Sequence, residues 1–96
     1  MPSTKKLEQE LWKLIASIRN PKEAEMLLRD ILTPAEIRSL SKRWHELQLL
    51  AKKIPHRTVA KLCGISISKV TRGSRVLSSG TGGAWQFLKR LKKVHR

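Results

Sequence analysis

The sequence has few of the features that mark secreted or membrane proteins. Its 96 residues include a single cysteine, Cys63, so no disulfide bond can form within the chain. One thiol in an apolar stretch is typical of a protein of the reducing cytosol. No apolar run approaches the length of about 18 residues that a membrane-spanning helix needs, and no secretory signal pattern is present. These absences predict a cytoplasmic protein without a membrane partner.

Residues that build catalytic and metal sites are also scarce. The chain has only 7 Asp and Glu residues and 3 His residues. His45, His56 and His95 are scattered and give no metal-ligand spacing. No glycine-rich phosphate loop follows a strand-like segment. The few acidic residues, Glu46 among them, are typical of helix caps, surface solubilisers or salt-bridge partners. We therefore predict a protein that is not an enzyme, has no metal site and requires no cofactor.

Positive charge, by contrast, is abundant. Lys and Arg number 21, and the formal net charge at pH 7 is +14. Such an excess favours a polyanionic partner, with nucleic acid as the first candidate and an anionic membrane surface as the second. A solvated basic surface without a partner is the plain alternative.

Apolar residues recur at helical spacing along the chain, with no strand pattern and no internal repeat. Two helix starts are explicit, at 20–23 (Asn-Pro-Lys-Glu) and 33–36 (Thr-Pro-Ala-Glu). Each has an N-cap, a first-turn proline and an acidic partner. The chain length is that of one domain. We predict a single all-α domain, 1–96, with six helices at about 5–19, 21–31, 34–53, 56–63, 67–78 and 84–94, the last within a C-terminal segment 84–96.

The segment 56–78 has the pattern of a helix-turn-helix. This motif packs two short helices across a tight turn, and the turn favours a residue that tolerates positive φ. Gly64 meets that need, the small Ala60 precedes it, and Ser66 is placed to cap the second helix. Apolar contacts on both sides of the turn are expected from Val59, Leu62, Ile65, Ile67 and Val70. An ordinary helical hairpin with a basic face is the alternative.

The second helix of this pair offers donors suited to base edges and to phosphates. Base contacts are expected where the helix begins, at Ile67, Ser68 and Lys69. Phosphate contacts are expected further along it and at the start of the first helix, from Thr71, Arg72, Ser74, Arg75 and His56. These donors on a strongly basic chain predict double-stranded DNA as the partner.

Two runs carry a family resemblance. Leu-Thr-Pro-Ala-Glu at 32–36 opens the long third helix, and Val-Thr-Arg-Gly-Ser at 70–74 lies in the second helix of the pair. With Arg43 between them, residues 31–77 resemble the Trp repressor family. The resemblance implies a repressor-type transcriptional regulator, nucleoid-associated in the bacterial cytoplasm, in which Arg57 reads a base edge.

The resemblance also implies an intertwined homodimer that binds a palindromic operator. The helix within residues 1–19 would interlock between the two subunits. Its apolar stripe fits either an internal core or this subunit interface, and consists of Leu7, Leu11, Leu14, Ile15 and Ile18.

In this family L-tryptophan acts as corepressor, and the resemblance implies a site for it here. Arg43 and Arg72 match the two arginines that sandwich the indole ring. Gly73 matches the small residue beside the ring, and Thr33 the position near the ligand carboxylate. Guanidinium planes stack well on an indole, and a helix start favours a carboxylate.

Three alternatives stay open. Val76 and Lys69 stand where the family has a serine and a threonine in the ligand pocket, so the chain can instead be a ligand-independent DNA binder. A nonspecific nucleic-acid binder would depend on net charge alone. A protein-interaction module would use the basic last helix, 84–94, as its docking surface.

Overall fold

The computed structural model describes residues 1–93. Six α-helices occur in this range, and none of its residues is in a strand. The helices are α1 (Thr4–Ala16), α2 (Pro21–Ile31), α3 (Pro34–Ala51), α4 (His56–Cys63), α5 (Ile67–Ser79) and α6 (Gly83–Arg90). The predicted all-α fold with six helices is thus confirmed. Residues 94–96, which include His95 and part of the predicted C-terminal segment, lie outside the described residues.

The chain forms two compact units, one of Met1–Ile37 and one that begins at Arg38. In the first unit, the Ser3 side chain caps α1 by accepting from the Lys6 N–H at 3.2 Å. The helix ends at Ala16, earlier than predicted. There the N–H of Ile18 donates to the carbonyl of Ile15, and such i→i−3 bonds tighten and close a last turn.

The predicted caps of α2 and α3 are present. The Glu23 N–H donates to Asn20 Oδ1 at 2.9 Å, while Glu23 Oε1 accepts from the N–H of Arg19. At α3 the box is fully reciprocal, because Thr33 Oγ1 accepts from the Glu36 N–H at 3.1 Å and Glu36 Oε1 accepts from the Thr33 N–H at 2.8 Å. The hydrogen bond from the Thr33 N–H to the carboxylate, and with it the interaction of that carboxylate with the Thr33 side chain, lowers the pKa of Glu36 from its ordinary value.

No residue of α1 or α2 is buried. Four members of the apolar stripe lie on α1 and keep about two fifths of their surface exposed, from 38% at Leu14 to 42% at Leu7, while Ile18 lies beyond the end of the helix and is half-buried. Met26 and Ile31 of α2 are more exposed still, at 63% and 51%. The stripe is therefore not an internal core of this unit.

The core of the second unit lies where α3, α4 and α5 meet. Val59 and Val70 are completely buried, and Cys63 is 7% exposed. Leu49, Leu50, Ile54, Ala60 and Ile65 pack against these three side chains. The eight-residue α4 buries a single face, which Val59 and Cys63 occupy four residues apart.

Two of the expected turn contacts are wrong. Leu62 and Ile67 are 62% and 52% exposed, so neither closes the turn. Leu62 follows Val59 by three residues, but the core contacts of α4 are taken by Val59 and Cys63. Ile67 is the first residue of α5, one turn before the buried Val70.

Three helices end in the same hydrogen-bond pattern, with a residue at positive φ after the last turn. Gly64 ends α4 at φ 64°, and Ile65 N–H donates to the Ala60 carbonyl. After α3 the left-handed residue is Lys53, at φ 63°, and after α6 it is Lys92, at φ 55°. The six-to-one bonds there run from Ile54 to Leu49 and from Lys93 to Leu88. These are Schellman motifs, in which glycine is the favoured left-handed residue.

Helix α6 packs on α5 through two side chains. Leu88 is completely buried, and Trp85 Nε1 donates to the Leu77 carbonyl at 2.7 Å. Helical spacing in the sequence predicts that Leu88, Leu91 and Phe87 face inward together, but Phe87 and Leu91 are 46% and 53% exposed. The helix ends at Arg90, several residues before the predicted end, because the chain turns into the left-handed conformation at Lys92.

Candidate nucleic-acid interface

The turn between α4 and α5 has the geometry that the sequence predicted. Gly64 adopts φ 64° and ψ 40°, a left-handed conformation that a side chain would strain. Ser66 is extended, and its Oγ accepts from the Lys69 N–H at 3.3 Å, which makes it the N-cap of α5. Val59 and Val70 fix the two helices against each other from the buried side. The segment is therefore a helix-turn-helix with a solvent-facing second helix.

Five of the polar side chains predicted to contact DNA lie together on α5. A shallow concavity on this helix is lined by Ser68, Lys69, Thr71, Arg72 and Arg75. All of these except Thr71, which is half-buried, are exposed. Three cations and two hydroxyls on one helix give charge and hydrogen-bond donors to a single surface, as phosphate binding requires.

The hydroxyl groups of α5 differ in what they can offer. Thr71 Oγ1 donates to the Ile67 carbonyl at 3.0 Å, so in this rotamer its proton is not available to a phosphate. Ser68 Oγ lies 3.0 Å from Ser66 Oγ at the helix start. Ser74 is half-buried. The exposed cations are therefore better placed for phosphate contact than these hydroxyls.

His56 and Arg57 are the first two residues of α4, and both are exposed. No side chain caps this helix. The structure leaves both side chains accessible to a nucleic acid, and their roles stay predictions.

The residues predicted to bind L-tryptophan are divided between the two units. Thr33 belongs to the first unit, where its hydroxyl already accepts from Glu36 N–H. Arg43, Arg72 and Gly73 belong to the second, and both arginines are exposed. Their role toward a ligand stays a prediction.

Glu46 is the residue that sequence reasoning missed. It was expected to be a surface residue or a salt-bridge partner, yet it is 5% exposed and Oε1 has no hydrogen-bond partner among the described residues. Burial raises the pKa of this carboxyl above its ordinary value, and the charges of Arg72, Arg43 and Lys69 lower it by less. Its position on a mostly polar stretch of α3 gave no signal of burial.

Cys63 is buried, as expected, and burial together with the charge of Glu46 raises the pKa of its thiol. A buried thiol with a raised pKa is a poor nucleophile. Within residues 1–93, no group of three or more His, Cys, Asp or Glu side chains is placed to hold a metal ion, and no helix is long and apolar enough to cross a membrane.

The fold and this surface define a class of protein: a helix-turn-helix domain that presents a basic second helix. The sequence matches the family described as Trp repressor protein over residues 6–92. It is 36% identical over 72 residues to the Trp operon repressor homolog of Vibrio parahaemolyticus, which covers 74% of this chain and 70% of that protein. The homolog of the same name in Chlamydia caviae is 32% identical over 83 residues, covering 85% of this chain and 82% of that protein.

A solved structure agrees with these sequence matches. The chain is similar to the crystal structure of a TrpR-like protein from Eubacterium eligens with a TM-score of 0.86 and 29% identity, covering 98% of this chain and 96% of that one. The chain belongs to the Trp repressor family. Members of this family bind DNA and are regulators rather than enzymes.

Proposed function

We propose that this chain is a sequence-specific DNA-binding regulator of transcription, of the repressor type, that binds a palindromic operator as a homodimer. The observation that carries the proposal is the second helix of the helix-turn-helix. Helix α5 is fixed on its apolar side by Val70 and exposes Lys69, Arg72 and Arg75 on the other. The membership of the chain in the Trp repressor family supports the same DNA-binding function.

In this proposal α5 enters the major groove with its N-terminal turn toward the bases. Ser68 and Lys69 are the polar candidates for base contact there, and Ile67, which is 52% exposed, offers an apolar contact to a thymine methyl group. Arg57 on α4 is the candidate for a bidentate contact to guanine. Arg72 and Arg75 contact phosphates, with Ser74 and His56 in supporting positions, and Thr71 joins them only in a rotamer that releases the Ile67 carbonyl.

The dimer is supported by the exposed apolar surface of the first unit. A protein of this size buries little surface by itself, and neither α1 nor α2 contains a buried residue. A second copy of the chain that covers the stripe of α1 would remove this apolar area from water. Two helix-turn-helix motifs related by a two-fold axis would then fit two half-sites of a palindrome.

Selection from a random-sequence DNA pool tests sequence specificity and symmetry together. The expected product is a palindromic site bound by two chains. With that site, Arg57→Ala should lose about 1–3 kcal/mol of discrimination at one base step and keep the rest. Arg29→Ala is the control, because it removes the same charge from α2, where Arg29 pairs with Glu25 at 2.8 Å. If Arg57→Ala kept full discrimination, the base contact would be assigned to the wrong residue.

A nonspecific nucleic-acid binder is the second candidate, because a net charge of +14 alone gives affinity for any polyanion. Competition with random DNA at moderate salt separates the two. A specific regulator stays on the selected site in the presence of excess random DNA, whereas a nonspecific binder is displaced in proportion to the competitor. A location in the bacterial cytoplasm at the nucleoid follows from the proposed function and stays a prediction.

A further inference from the structure

Glu46 is the one charged side chain that is buried within residues 1–93, with 5% of its surface exposed. Its Oε1 has no hydrogen-bond partner in that range. A buried carboxylate oxygen without a hydrogen-bond partner lowers the stability of a fold, and an unsatisfied atom of this kind requires an explanation. The explanation is found in what the carboxylate touches.

The carboxylate of Glu46 packs against Gly73 in the interior of α5. A Cβ atom placed on Gly73 would collide with Glu46 Oε1 and lie 3.2 Å from Leu50 Cδ1. Gly73 lies within a regular helix and does not have the positive φ of Gly64 and Gly82. At position 73 the absence of a Cβ atom therefore matters for the space it leaves beside the helix and not for the backbone conformation. That space is taken by Glu46, so the indole ring that the sequence predicted beside Gly73 would have to displace this side chain.

The same carboxylate interacts with the cations around it. Arg72 and Lys69 of α5 and Arg43 of α3 each lower the pKa of Glu46 through their charge. Two of the three lie on the helix that presents the proposed DNA contacts. An anion between α3 and α5 reduces the mutual repulsion of these cations. The Glu46 carboxylate belongs to the chain and is always there, whereas a bound effector would reduce this repulsion only while it is bound.

We propose that Glu46 is a positioning residue that takes the place of an effector: it holds α5 against α3 through Gly73, so that the chain binds its operator without L-tryptophan. This inference rests on the proposed DNA-binding function and concerns only its regulation. Glu46 does not touch DNA in this account, and it acts through the position of α5.

The first test measures the affinity of the whole chain for the selected operator by fluorescence anisotropy, without ligand and with millimolar L-tryptophan. We expect the same Kd in both. Operator binding that appears only with L-tryptophan would overturn the inference and leave the proposed function intact. Equal affinity for operator and random DNA under both conditions would instead reject the proposed function.

The second test is a double-mutant cycle on the contact itself. Gly73→Ala should weaken operator binding because its methyl group collides with Glu46, and Glu46→Ala should weaken it because α5 loses its support. In the double variant the methyl group enters the vacated space, and alanine favours a helix over glycine. The coupling expected in Kd is therefore about tenfold, or about 1.4 kcal/mol.

Glu46→Gln keeps the shape of the side chain but not its charge, so without L-tryptophan it should bind the operator more tightly than Glu46→Ala and less tightly than the parent chain, which separates packing from charge. Glu8→Gln on α1 is the control for the change in net charge, because Glu8 is exposed. Helix content by circular dichroism confirms that each variant is folded at the assay temperature. If the effects of Gly73→Ala and Glu46→Ala on Kd simply multiplied in the double variant, the two residues would not be coupled. If Glu46→Gln lost as much binding as Glu46→Ala, the shape of the side chain would not matter. Either result would show that the Gly73 contact does not position α5.

Discussion

The substitution Lys53→Gly should stabilise the unit that carries the helix-turn-helix. Lys53 joins α3 to α4 and has φ 63°, the left-handed conformation. Its N–H donates to the Leu50 carbonyl at 2.9 Å, and the next residue, Ile54, donates to Leu49 at 3.2 Å. Both bonds survive the substitution because they are made by the backbone. The change therefore isolates the cost of a side chain at positive φ.

The expected gain follows from two opposing terms. A left-handed backbone costs a residue with a Cβ about 1–2 kcal/mol. Glycine returns about 0.5–1 kcal/mol of this because it loses more freedom on folding. The free energy of unfolding should therefore rise by about 0.5–1 kcal/mol. Gly64→Ala is the reverse experiment at φ 64° and should lower stability by a similar amount.

Urea denaturation followed by circular dichroism measures the effect, with protein concentration held constant because the proposed dimer would contribute to stability. Lys53→Ala is the matched control, since it removes the same positive charge and keeps the Cβ atom. We expect a higher midpoint for Lys53→Gly and none of this gain for Lys53→Ala. If the two variants were equally stable, relief of charge repulsion and not the left-handed φ of residue 53 would explain the gain.

Three further predictions concern single side chains. Arg75→Ala should weaken binding to all DNA sequences alike and reduce the slope of log K against log salt by about one unit; an unchanged slope would exclude a phosphate contact. Thr33→Ala should cost about 1 kcal/mol of stability in urea denaturation by removing the cap of α3, and Thr33→Ser, which keeps the hydroxyl, should cost much less. Because the folded pKa of Glu46 lies above its ordinary value of 4.5, the protonated form adds stability that is complete below 4.5 and is lost as the pH rises through the folded pKa. The free energy of unfolding of Glu46→Gln should therefore rise relative to that of the parent chain as the pH rises above 4.5. The nearby cations Arg72, Arg43 and Lys69 limit this gain. A difference between the two chains that stayed constant with pH would contradict the prediction.

The helix-turn-helix could be read from the sequence because its signals are local. Gly64 at the turn and Ser66 before α5 act through their own backbone and nearest neighbours, so pattern is enough to place them. The exposed cations of α5 followed from the same helical spacing. The buried Val70 followed from it as well, but the contact of Glu46 with Gly73 did not, because a glycine in a helix gives no indication of which residue of another helix fills the space beside it.

Sequence by itself determined the class of fold, the caps at Asn20, Thr33 and Ser66, and the basic character of the exposed side of α5. These are short-range properties of the chain and of its net charge. Only the tertiary structure decided that Glu46 is buried against Gly73, that Leu62 and Phe87 stay exposed, and that Lys53 and Lys92 adopt the left-handed conformation. Each of these depends on how α3, α4, α5 and α6 pack, and residues far apart in sequence fix that packing through volume and burial, which no local pattern encodes.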